Sequence, residues 1–147
     1  MKAIIAILTA GMLAAAPVLA DDPTYDNALA DIKATLGSVP TWLSQMPRAG
    51  FAGAWFQLKG LEFAEDTALD AKTKALIELA VVAQIPCQYC VWADTAAAKA
   101  AGASDEEIRE AVAVAATGRF WSTMLNGLQT DFDTFKAEFG PLVGVTP

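Results

Sequence analysis

Pro86 stands directly before Cys87 and Cys90, the only two cysteines of the 147-residue chain. Proline disfavours helical geometry in the residue before it, so the apolar helical run from Ala75 to Ile85 has to break there. A second run, alanine-rich from Val91 to Ala101, opens at the cysteines and ends at Gly102. Two helices joined at a Cys-x-x-Cys therefore constrain everything else. No segment alternates apolar and polar residues in the strand pattern, and alanine dominates over β-branched residues, so the expected class is all-α with about six to seven helices.

The rest of the chain punctuates in the same way. Thr24 or Asp22 caps a first helix to about Leu36, and Pro40 opens a short helical turn to Met46. Pro47 to Lys59 reads as a helix with Phe51, Ala54, Trp55 and Leu58 on one face, ended by Gly60. Leu61 to Ala68 reads as a connector, and Asp70 caps a helix from Ala71 to about Gln84. Ser104 with Glu107 forms a capping box that launches a helix to about Thr117. Gly118 is expected to interrupt it before Arg119 to Asn126 continues. A last helix starts at Thr130 or Asp131, carries Phe132, Phe135 and Phe139, and stops at Gly140-Pro141.

The first twenty residues follow different rules. Met1-Lys2 is a short positive start, Ala3 to Ala16 is uncharged and apolar, and Val18 and Ala20 put small residues where a signal peptidase reads. This is the pattern of a secretory signal peptide cleaved after Ala20, too short and alanine-rich for a membrane anchor. The expected mature chain, 21–147, is a single domain that is exported, periplasmic or secreted, with no membrane attachment. It keeps 9 basic residues against 17 acidic ones, a net charge of −8. No basic patch is present, so nucleic acid is excluded as a partner. There is no histidine, which removes the commonest metal ligand and the commonest general base. The apolar excess predicts helix faces buried between subunits.

The cysteines carry the chemistry. On one helix, Cys87, Cys90 and Asp94 share a face within two turns. A helix N-terminus favours thiolate, most strongly at Cys87. A thiolate attacks peroxides and disulfides, and a cysteine three residues away is placed to resolve the product. A structural clip is the competing reading, but a four-residue loop gives only about 2 kcal/mol in the chain-entropy model, against about 4.7 for 100 residues. A metal site is disfavoured because two sulfurs without histidine leave only carboxylates as further ligands. No cofactor is called for. Asp94 has three readings: a charge that raises the Cys90 pKa, a neutral acid relaying a proton, or an exposed acid in the first two turns of the helix. Glu78 either serves as a base at the dithiol or ends a solvated stripe with Asp70 and Lys74, the reading preferred on spacing alone.

The stretches Lys72 to Ile77, Ala80 to Cys90 and Ala97 to Ile108, with Arg119 to Thr123, resemble the carboxymuconolactone decarboxylase/alkylhydroperoxidase D (AhpD)-like family in its CxxC-bearing branch. The likeness covers about residues 69–126. It implies an AhpD-like helical bundle assembled into trimers or hexamers. It also implies thiol-dependent peroxide reduction at the cost of an external thiol reductant. By resemblance Cys90 is the peroxidatic cysteine and Cys87 the resolving one. The family's relay pairs a His four residues after the second cysteine with a Glu twelve before the first. Those positions hold Asp94 and Ala75 here, and Phe120 stands where the family tail carries a His. Glu78, one turn beyond Ala75 and about 60° round the helix, is the substitute on offer. The rival expectations are a thiol-disulfide exchange protein and a catalytically degenerate oligomeric binding or scaffold protein of the same fold.

Overall fold

The computed structural model describes residues 23–145, and every regular element among them is helical. The expected signal peptide and its cleavage after Ala20 lie outside the described residues. The chain divides into two compact units, residues 1–57 and 58–147.

In the first unit, α1 spans Pro23–Leu36, with proline at its first position, Asp26 in the first turn and Lys33 in the last. Proline's fixed φ suits a first helical position, and the two charges sit where the helix dipole favours them. Tyr25, Ala28 and Ile32 recur on one face and are buried. A 3-10 turn, Thr41–Gln45, buries Leu43. α2 runs Phe51–Leu58 and buries Phe51 and Trp55. The helix expected from Pro47 starts later because Gly50 is left-handed at φ +79°, which no helix start shares. The Phe51 ring packs 5.0 Å from that of Tyr25, the Arg48 guanidinium lies 4.0 Å over Tyr25, and the Trp55 indole N–H donates to Asp31 at 2.7 Å.

The second unit opens with a surprise for the sequence reading. Gly60 does not end the helical path. Residues Lys59–Phe63 form a π-helical turn, and only Ala64 becomes extended. A π turn carries one more residue per turn than an α-helix and so re-aims its side chains. This turn packs on α3, Ala71–Val82. α3 is capped by Asp70, whose carboxylate accepts from the Thr73 N–H at 2.8 Å. It stops at Val82, earlier than Gln84, because residues 83–86 already turn toward Pro86.

α4 spans Gln88–Ala100 and α5 spans Asp105–Gly127. The link between them is built from local bonds. Gly102, at φ +86°, lets its N–H reach Lys99 O at 3.0 Å and the Ala103 N–H reach Ala98 O at 2.9 Å. That is the Schellman arrangement, with Ala103 folded back onto Ala98. Ser104 and Glu107 then form the expected capping box. Gly118 does not interrupt α5, since an interior glycine costs a helix only about 1 kcal/mol and the flanking turns carry it through. α6, Phe132–Phe139, is capped by Asp131 and followed by a 3-10 turn, Gly140–Val143.

α3 packs against both α4 and α5. Ala75, Ala98 and Ala103 are buried there, with Leu76 and Ile108 against them, and Leu79 is only 1% exposed. Small side chains at the contact let the backbones approach closely. α5 buries none of its residues, and Val114, Phe120 and Trp121 are all more than half exposed.

Candidate functional site

Cys87 is the N-cap of α4, held in extended backbone geometry by the turn behind Pro86. Its sulfur accepts the Cys90 N–H at 3.3 Å, so the cap that starts the helix is made by a cysteine sulfur rather than a hydroxyl. The two cysteines are disulfide-bonded, with Cα atoms 5.4 Å apart. Asp94 lies one turn beyond Cys90 on the same helix and is half-buried.

Asp94 has company that the sequence did not reveal. Glu62 comes from the π turn, Glu78 from α3 and Asp94 from α4, and none of the three is fully exposed. The Glu62 carboxyl is pushed from its ordinary 4.5 up to about 8. Burial is the main cause, followed by a hydrogen bond with Glu78 and the negative charges of Glu78 and Asp94. Asp94 is raised as well, by burial first and the Glu78 charge second. At neutral pH Glu62 therefore holds a proton and donates it to Glu78. Among the described residues, no three His, Cys, Asp or Glu side chains are placed to hold a metal ion.

This arrangement overturns the solvated-stripe reading of Glu78. Asp70 caps α3, Lys74 Nζ donates to Ala64 O at 2.8 Å, and Glu78 turns to Glu62. Lys74 in turn holds the end of the π turn in place. Ala75, at the family's Glu position, is buried in the helix contact, and Phe120 sits exposed on α5 with its ring edge-on to Trp121 at 5.3 Å. Glu62 was hidden in what read as a connector. Its signal was a single acid inside the otherwise apolar Leu61-Glu62-Phe63-Ala64.

Two salt bridges fix the frame. Lys72 meets Glu107 at 2.8 Å, joining the starts of α3 and α5, and Lys99 meets Asp105 at 2.9 Å across the α4–α5 link. The Lys72 hydrogen bond is the main reason the Glu107 carboxyl falls to about 2. A groove of about 960 Å³ runs along α4 from Ile85 to Lys99. Cys87 is in its wall and Cys90 is not, and the rings of Tyr89 and Trp92 stand out beside it.

Fold and site together define an all-helical protein organised around a disulfide-forming CxxC pair. A model of the Carboxymuconolactone decarboxylase family matches residues 49–130, and the chain belongs to that family. It is 35% identical over 91 residues to "Uncharacterized protein 4 in cox locus" of Paracoccus denitrificans, covering 62% of this chain and 81% of that one. The crystal structure of the alkylhydroperoxidase AhpD core of Rhodospirillum rubrum superimposes with a TM-score of 0.64 at 28% identity, over 76% of this chain and 85% of that one. The AhpD-like helical fold expected from the sequence is thus the observed one. Family and CxxC pair are both compatible with peroxidase-like chemistry.

Proposed function

We propose that the protein is an exported, thiol-dependent peroxidase in which Cys87 and Cys90 cycle between dithiol and disulfide. The observation that carries this reading is the disulfide at the start of α4 with a half-buried carboxyl cluster one turn along the same helix. In the cycle a thiolate attacks the peroxide R–O–O–H. An S–O bond forms, the O–O bond breaks, and the alkoxide leaves and takes a proton. The second cysteine attacks the sulfenic acid, closing the disulfide and releasing water. An external thiol reductant then restores the dithiol by exchange. The family pattern gives first attack to Cys90 and resolution to Cys87, and the stoichiometry is the same with the roles exchanged.

The chain has no histidine for the proton steps. Glu62, Glu78 and Asp94 stand in. A protonated Glu62 is an acid at neutral pH and can supply the proton that the leaving alkoxide takes. The exposed apolar face of α5 supports assembly into the trimers or hexamers of the resemblance. The N-terminal pattern supports export.

Reduced protein with a small-thiol donor is expected to consume cumene hydroperoxide, and the double variant Cys87→Ser/Cys90→Ser is expected to be inert. Equal turnover by the two proteins would sink the peroxidase reading. Reduction of insulin disulfides without any hydroperoxide consumption would make the protein a thiol-disulfide exchanger instead.

A further inference from the structure

We infer that Cys87, rather than Cys90, is the sulfur that attacks, and that the groove along α4 brings to it a hydroperoxide carried on a long acyl chain with an anionic head. This rests on the peroxidase reading above and reverses the roles that the resemblance implies.

The two sulfurs lie in different surroundings. Cys87 caps α4, and its sulfur already accepts the Cys90 N–H at 3.3 Å. On reduction the same N–H and the positive end of the helix face a thiolate, which they stabilise. Cys90 sits inside the first turn with Asp94 one turn beyond it. A carboxylate nearby disfavours a second negative charge, so the thiolate is favoured at Cys87 over Cys90. Access points the same way, because the groove touches Cys87 and leaves Cys90 out of its wall.

The groove also describes its occupant. Ile85, Pro86, Tyr89, Val91, Trp92 and Ala96 give it an apolar wall. Tyr89 and Trp92 are 78% and 76% exposed, so both side chains are open to a ligand. Hydrogen peroxide has nothing to gain from such a wall. An extended acyl chain does, through apolar burial. The wall's single charged side chain is Lys99, at the end opposite the cysteine. Twelve residues of α-helix separate the two, about 18 Å along the axis, a distance a long acyl chain spans. Asp105 takes one of the three N–H donors of Lys99, and the ammonium can offer another to a carboxylate. In a chain of net charge −7, an anionic head needs a local cation of this kind.

The Cys87 thiolate supplies two electrons to the distal peroxide oxygen and becomes Cys87–S–OH, the acyl chain keeps its oxygen as an alcohol after taking one proton, and Cys90 closes the disulfide with loss of water.

The test uses linoleic acid hydroperoxide, its methyl ester and hydrogen peroxide as substrates, and dimedone with peptide mapping to locate the sulfenic acid. Cys90→Ser is expected to accumulate label on Cys87, and Cys87→Ser to label at least tenfold more slowly. In reduced wild-type protein at pH 7, iodoacetamide is expected to modify Cys87 at least tenfold faster than Cys90, a readout that needs no variant to fold. Trp92→Ala is expected to lower the kcat/KM ratio of linoleic acid hydroperoxide to hydrogen peroxide about tenfold. Lys99→Met is expected to remove a several-fold preference for the free acid over its methyl ester. Faster labelling or alkylation at Cys90 overturns the assignment of attack. A Trp92→Ala variant whose substrate ratio is unchanged but whose oligomeric mass falls overturns the acyl-chain occupant, since a second copy then covers the groove. If wild-type protein reduces none of the three substrates, the peroxidase reading itself has failed. If it reduces them through Cys90, only this inference has.

Discussion

Glu62→Gln isolates the most unusual electrostatic feature of the site. Glutamine keeps the shape of the protonated acid and can donate to Glu78 as the acid does, but it never ionises. The wild-type carboxyl has its folded pKa raised from 4.5 to about 8, so the folded state holds a proton that the unfolded chain has already released. Stability is then lost as pH rises through that window, and the loss is complete above the folded pKa. At about 1.4 kcal/mol per tenfold, the full shift corresponds to an upper bound near 5 kcal/mol. The group is only half-buried, and solvent screening reduces that to about 1–2 kcal/mol. Glu62→Gln is therefore expected to match wild type in urea unfolding at pH 4 and to exceed it by about 1–2 kcal/mol at pH 8.5. With a slope of about 2 kcal/mol per molar urea, the midpoint moves up by about 0.5–1 M at the higher pH. Equal midpoints at pH 8.5, or a variant weaker there than at pH 4, would refute the placement of Glu62 beside two other carboxylates.

Other substitutions probe separate links. Leu79→Ala, at a nearly fully buried position, is expected to cost about 2–5 kcal/mol in urea unfolding. Ser104→Ala removes the cap of α5 and is expected to cost about 1 kcal/mol, lowering Tm by about 3–6 °C in a calorimetric scan. Gly102→Ala forces a Cβ into a left-handed backbone and is expected to cost about 1 kcal/mol by the same measurement. Asp94→His puts a near-neutral base beside the dithiol, and the cumene hydroperoxide rate at pH 7 is expected to rise. No rise in a variant with wild-type circular dichroism would remove Asp94 from proton handling.

The local devices were legible because each is written in adjacent residues. Asp70, Ser104 with Glu107, Asp131 and Gly102 all cap where composition put them. Periodicity and the absence of strand patterning led directly to the helical class. Errors fell where a glycine has two uses. Gly60 and Gly118 read as stops, yet a helical path runs through each, one by widening to a π turn and the other unchanged. Gly50, in contrast, is left-handed and delays α2. Nothing within a few residues of each glycine distinguishes these outcomes, because packing elsewhere decides whether the helix can absorb its cost.

The dithiol and its position at a helix start were determined by the sequence alone, since Pro86, the two cysteines and the cap are contiguous and act through the backbone they belong to. The carboxyl cluster was decided by tertiary structure. Glu62 and Glu78 are 16 residues apart, and Asp94 is another 16 beyond, on three different elements. Only the packing of the π turn and α4 against α3 brings them together, and burial there, with the Glu78 charge beside it, raises the Glu62 and Asp94 pKa values.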